Sequence, residues 1–234
     1  MKQQLTINFT HELEASFDYF YQQGNEMLLA NLQEFVTANV NVHSQQLMYI
    51  HGPKGSGKTH LLQATCHYAD LNKQNAQYLP CSQLIAMPVA FTHGLEMNHL
   101  LLIDDIQEIA ADDEWQTSIF DLINRTLEQG HKIVFSGSLP ADDIPFTLPD
   151  LVSRLNWGQK WLVKPLDEAQ RKEMLIMRSQ SRGMPMTEEL ANFIVMRSQQ
   201  DNASIMRCLE ILDTQSLAEK RKLTIPFVKS VMAW

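Results

Sequence analysis

Gly52-Pro53-Lys54-Gly55-Ser56-Gly57-Lys58-Thr59 spells G-x-x-x-x-G-K-T, the phosphate-cradling pattern known as Walker A. Its surroundings suit it. A strand-like apolar run, Leu47-Met48-Tyr49-Ile50, comes just before, and a helix-like run, His60-Leu61-Leu62-Gln63-Ala64-Thr65-Cys66, just after. Glycines let the backbone curl so that its N–H groups face inward on phosphate oxygens. The helix that opens at the loop, with His60 in its first turn, adds a positive N-terminal end. Lys58 brings a mobile cation to the outer phosphates, and Thr59 offers a hydroxyl to Mg2+. The plain alternative is a glycine-rich turn. Average residue usage yields this pattern by chance in only about one chain per hundred of this size.

A phosphate loop needs a carboxylate to hold Mg2+ at the end of a neighbouring strand. Leu100-Leu101-Leu102-Ile103-Asp104-Asp105 supplies four buried-type residues and then two acids. In this Walker B reading Asp104 takes the metal through water, while Asp105 faces the γ-phosphate and orients the attacking water. A strand ending in a polar turn would look the same, and the loop upstream decides for the metal. Hydrolysis of a γ-phosphate also gains from positive charge where negative charge spreads in the transition state. Leu151-Val152-Ser153-Arg154-Leu155 offers Arg154 for this, though an exposed helix arginine fits the spacing equally.

Size and composition agree with such a core. The chain has 234 residues, 44% of them hydrophobic, which suits one nucleotide-type domain plus a small appendage. A net charge of −8 argues against a large nucleic-acid footprint, which needs clustered Lys and Arg. The one dense basic run, Lys220-Arg221-Lys222, reads as a solvated helix end. Cys66, Cys81 and Cys208 are too scattered for a disulfide framework and suit a reducing cytosol. The first residues lack the apolar stretch of a signal peptide, and no run approaches the roughly 20 residues that cross a bilayer. These features predict a soluble, cytoplasmic protein with no membrane partner.

Strand-like runs at 47–50, 76–79, 100–103, 132–135 and 161–163 alternate with helix-like stretches. Between the third and fourth, Trp115, Ile119, Leu122, Ile123 and Leu127 recur at helical spacing, and Gly130 supplies a stop. Alternation of this kind predicts an α/β fold: a parallel sheet with helices on both faces. After Lys164-Pro165 the pattern turns all-helical. Asp167 caps one helix, Thr187 a second, a third covers 203–221, and Thr224 with Pro226 opens a fourth. The expected domains are an N-terminal peptide (1–10), a core (11–164) and a helical lid (165–234). In the peptide, Gln4-Leu5-Thr6-Ile7-Asn8-Phe9 sets apolar residues at alternate positions, which on pattern alone reads as an edge strand or a tail.

The loop, Leu100-Leu101-Leu102-Ile103-Asp104-Asp105-Ile106-Gln107, Leu148-Pro149-Asp150-Leu151-Val152-Ser153-Arg154-Leu155-Asn156-Trp157-Gly158 and the helical lid together resemble the AAA+ ATPase core of the bacterial replication initiator DnaA. The nearer resemblance is to the Hda family of DnaA-related regulators, through Gln4–Phe9, the arginine segment 148–158 and the segment 221–229. The resemblance covers essentially the whole chain. It implies a negative regulator of replication initiation that binds ADP, or another nucleoside diphosphate, with Mg2+. It implies docking on the DNA-loaded sliding clamp, the polymerase beta subunit, with Gln4 hydrogen-bonding in the clamp groove and Leu5, Ile7 and Phe9 filling its apolar pocket. It implies that Arg154 reaches the nucleotide of ATP-bound DnaA and promotes its hydrolysis. DNA would be reached only through the clamp, in keeping with the acidic balance and with a chain that stops just past the lid. The choice between monomer and homodimer stays open.

Several positions depart from the family pattern. Ser138 falls near sensor 1, where relatives carry an acid or amide. The sensor-2 arginine of the lid is replaced by Ala203, which cannot touch phosphate, and Arg207 one helical turn on is the candidate substitute. Asp105 stands where motor proteins of the class carry the longer glutamate. Phe17-Asp18-Tyr19-Phe20-Tyr21 matches the linker strand that covers the base, making Phe20 and Tyr21 candidate pocket residues, although core packing explains aromatics here as well. These departures suggest nucleotide held as a structural ligand. The alternative is an AAA+ ATPase of the helicase-loader group with its own turnover. A small-metabolite kinase fits poorly, because the helical lid follows the sheet instead of interrupting it.

Overall fold

The computed structural model describes residues 16–39, 42, 45–198 and 201–234. Five strands form one parallel sheet: β1 Leu47–His51, β2 Ala76–Pro80, β3 Leu100–Asp104, β4 Lys132–Gly137 and β5 Gln159–Leu162, in the order β2-β3-β4-β1-β5. The three central strands are the runs of consecutive apolar residues, as expected of a sheet covered on both sides. Side chains alternate across the sheet. Leu47, Tyr49, Leu101, Ile103, Ile133 and Phe135 join one core with α4 (Asp113–Glu128) and α5 (Pro149–Trp157). Met48, Ile50, Leu100, Leu102 and Val134 join the other with α1 (Glu26–Thr37) and α2 (Lys58–Leu71).

The last strand begins at Gln159, earlier than the apolar run suggests, because its first residues pair with β1 through backbone alone. It is an edge strand, and Lys160 and Leu162 face outward, so its apolar signal is incomplete. A short helix, α3 (Cys81–Leu84), follows β2. Past Pro165 come α6 (Glu168–Ser181), α7 (Glu188–Arg197), α8 (Asn202–Glu219) and α9 (Ile225–Met232), around a separate core that includes Leu175, Ile194, Leu209 and Phe227. Each has its side-chain cap. Asp167 and Gln170 form a reciprocal capping box, while Thr187, Asp201 and Thr224 accept from backbone N–H groups one turn on. Asn25, almost wholly buried, brackets Lys164 with two hydrogen bonds (2.9 and 3.1 Å) and so ties the start of the core to the lid junction.

One buried cation anchors α1. Lys132 Nζ donates to the carbonyls of Phe35 (2.6 Å), Val36 (2.9 Å) and Ala38 (2.6 Å). These are acceptors that a helix C-terminus leaves unpaired, and a cation there also meets the negative end of the helix dipole. Lys132→Ala is expected to lower stability by roughly 2–3 kcal/mol, the usual cost of removing a charged hydrogen-bond partner from a buried site. An unchanged urea midpoint would show that these carbonyls find other partners.

Candidate nucleotide-binding site

The loop after β1 and the first turn of α2 form the floor of a cleft of about 600 Å3 between core and lid. Lys54, Gly55, Ser56, Gly57, Lys58, Thr59 and His60 line it. Gly52 and Pro53 lie just behind, where they receive Lys58 Nζ on their carbonyls at 2.9 and 3.2 Å. Gly57 sits at φ +100°, and a Cβ there would lie 2.8 Å from the Phe20 ring, so the helix start tolerates only glycine without rearrangement. Burial pulls the Lys58 ammonium below its ordinary range, against the opposing pull of Asp105 and Asp104. Ser56 Oγ is buried without a protein hydrogen-bond partner inside this loop, and the helix N-terminus opens beside it. A cradle of backbone donors, one lysine and an unsatisfied hydroxyl fits a polyphosphate.

The two acids differ in setting. Asp104, 3% exposed, ends β3 behind the cleft wall. Its Oδ2 accepts from the Tyr78 hydroxyl at 2.7 Å and its Oδ1 from the Ser136 hydroxyl. Asp105 lines the cleft in the left-handed backbone region (φ +55°), and its N–H donates to Ser136 Oγ at 2.8 Å. Gln107 Nε2 donates to Asp105 Oδ1 at 3.0 Å, and Gln107 Oε1 accepts the Ser138 N–H at 3.0 Å. Ser138 also lines the cleft. Thr59 with these carboxylates is a hard-oxygen donor set, which suits Mg2+. Mg2+ characteristically keeps several waters and is held by one or two carboxylates together with phosphate oxygens.

At the other end of the cleft stand Tyr19, Phe20 and Tyr21, with Leu166 and Met174 of the lid side. Phe17–Tyr19 forms a single 3-10 turn capped by Ser16, so the expected linker strand is extended only from Phe20. The Tyr21 hydroxyl bonds Gln23 and, from the lid, Glu173; burial and that carboxylate push its pKa up to about 12. Ala203 lines the cleft. Arg207 does not: it lies on the exposed side of α8, and Met206 turns inward instead. The cation that the lid does bring is Arg178 of α6, 6% exposed, which donates to the Tyr19 carbonyl (3.4 Å) and lies 5.2 Å over the Tyr19 ring. No local motif marks Arg178, because only the packing of α6 across the cleft brings it there.

Arg154 lies elsewhere. It sits on α5 in a separate concavity of about 460 Å3 with Phe120, Asp150, Ser153, Asn156 and Trp157, none of which lines the phosphate cleft. Its guanidinium stacks 4.8 Å over Trp157 and 5.9 Å from the Phe120 ring. Buried Gln116 of α4 positions this helix. Its Oε1 accepts the N–H groups of Thr147 (2.9 Å) and Leu148 (3.1 Å), which fixes the chain just ahead of the helix, and Pro149 opens the first turn. Gln4, Leu5, Ile7 and Phe9 lie outside the described residues.

A parallel sheet with a phosphate loop after its first strand, paired acids after its third and an all-helical C-terminal lid defines an AAA+ P-loop protein. A family model of the bacterial DnaA ATPase domain matches residues 12–161, and one of the Hda lid domain matches residues 167–232. An uncharacterized protein of Haemophilus influenzae is 35% identical over 233 residues, 99% of both chains. Among solved structures, domain III of the Thermotoga maritima replication initiation protein DnaA superposes with a TM-score of 0.79 at 21% identity, covering 94% of this chain and 96% of that one. AMPPCP-bound DnaA from Aquifex aeolicus gives 0.73 at 20% identity, covering 89% and 67%. At such identities the likeness is one of fold. The chain belongs to the bacterial DnaA ATPase-domain family and carries a lid of the Hda type.

Proposed function

We propose that the chain is a nucleotide-bound regulator of replication initiation that activates ATP hydrolysis in DnaA in trans. The observation that carries this reading is the separation of Arg154 from the chain's own phosphate cleft. An arginine stacked on an exposed tryptophan, outside the site it would otherwise serve, is suited to a neighbour's nucleotide. In the cleft, the backbone of 52–57 and Lys58 would hold the diphosphate, and Thr59, Asp104 and Asp105 would hold Mg2+, which neutralises phosphate charge. Phe20, Tyr21 and Arg178 would close over base and ribose. ADP is the expected ligand. Weak turnover follows from Ala203 in the lid and from the engagement of Asp105 by Gln107. Adding the protein to ATP-loaded DnaA with DNA-loaded clamp should speed ADP production. No change in rate would remove the proposal.

Docking on the clamp is assigned to Gln4, Leu5, Ile7 and Phe9, with DNA reached through the clamp alone. Two buried apolar anchors contribute about 1.5–3 kcal/mol each. Leu5→Ala with Phe9→Ala is therefore expected to weaken clamp binding at least about a hundredfold in a surface-capture assay. Full binding by the double variant would show that the contact lies elsewhere. The reading of the chain as an ATPase in its own right is favoured by the complete set Lys58, Asp104 and Asp105. It requires substantial turnover without partners, which a phosphate-release assay on the isolated protein measures.

A further inference from the structure

Tyr78 takes no part in the reading above and lines no part of the cleft. It lies on β2, the edge strand beside β3, and the register sets it opposite Leu102, two residues before Asp104 on the same face. From there its hydroxyl meets Asp104 Oδ2 at 2.7 Å. On the other side Ser136, fully buried on β4, donates to Oδ1 and accepts the Asp105 N–H. Three adjacent strands thus converge on one carboxylate, and each of its oxygens has one fixed hydroxyl donor. A carboxylate offers roughly four lone-pair directions. One donor on each oxygen fixes the carboxylate plane and leaves the remaining directions for a metal's water shell. We propose that Tyr78, with Ser136, is a positioning residue for the Mg2+-binding carboxylate Asp104, and so sets how strongly Mg2+ tightens nucleotide binding. The inference rests on the reading of Asp104 as the metal's outer ligand.

Partners of this kind change metal affinity about 10- to 100-fold when removed. The test is calorimetric titration of ADP into the full chain across a series of Mg2+ concentrations, with EDTA as the metal-free reference. The readout is the Mg2+ concentration at which the gain in ADP affinity is half complete. Wild type is expected to show a gain, and Asp104→Asn to lose it. Tyr78→Phe, which keeps the ring, is expected to move the half-point upward about tenfold or more. A merely structural role for Tyr78 would weaken ADP binding equally with and without Mg2+ and leave the half-point where it was. That result, with the Asp104→Asn loss intact, overturns the role of Tyr78 while the metal site stands. A wild type with no Mg2+ gain overturns the metal reading and this inference together.

Discussion

Arg154→Ala is expected to return ATP hydrolysis by the initiator to its unstimulated rate, even with loaded clamp and saturating amounts of this protein. Arginine fingers contribute about 10^3- to 10^5-fold to such reactions, because a planar, permanently charged fork meets charge spread over the transferred phosphoryl oxygens. The variant should remain folded. Arg154 is half-buried on α5, and its stacking on Trp157 stabilises the fold by only about 0.5–1 kcal/mol. Its own nucleotide affinity should stay near wild type, since Arg154 lines no part of that cleft. Arg154→Lys should recover little, because a point ammonium replaces the fork. Single-turnover hydrolysis of radiolabelled ATP pre-bound to the initiator checks this. Stimulation that survives Arg154→Ala would remove the finger assignment.

Lys58→Ala is expected to weaken nucleotide binding by about 3 kcal/mol, roughly a hundredfold, at the upper end for a charged hydrogen bond in a partly buried site. Lys58 Nζ already lies within the loop, held on the carbonyls of Gly52 and Pro53. Phosphate would draw it from those acceptors at little conformational cost. The substitution also removes a cation that interacts with Asp105 and Asp104, so the cleft becomes less favourable to a diphosphate. Loss of stimulation of the initiator should accompany loss of binding, if bound nucleotide sets the pose in which Arg154 is offered. Calorimetric titration with ADP measures the first effect. Wild-type affinity in Lys58→Ala would mean that the loop does not carry the ligand.

Much of this architecture is legible in the sequence, because its signals are local. Runs such as Leu100-Leu101-Leu102-Ile103 suit strands buried on both faces, as in a parallel sheet, and the loop's glycines mark the turn between β1 and α2. Lid caps at Asp167, Thr187 and Thr224 read directly as helix starts. Helix α1 is also written in the spacing of Leu28, Leu29, Leu32, Phe35 and Val36, yet no motif draws attention to it. What local pattern cannot give is convergence. Lys132 reaches across more than ninety residues to the end of α1, Tyr78 and Ser136 meet on Asp104, and Arg178 arrives in the cleft from the lid. Arg207 fails as the lid cation for the same reason. One helical turn separates it from Ala203, which lines the cleft, but Arg207 is exposed outside that lining, and Met206 takes the inward position.

The most direct measurement is the rate of ADP formation by ATP-loaded DnaA on DNA-loaded clamp, with and without this protein carrying bound ADP. A marked acceleration is expected, far above anything the protein achieves with ATP alone. An unchanged rate, from a protein whose nucleotide occupancy is verified by mass spectrometry of the released ligand, would contradict it.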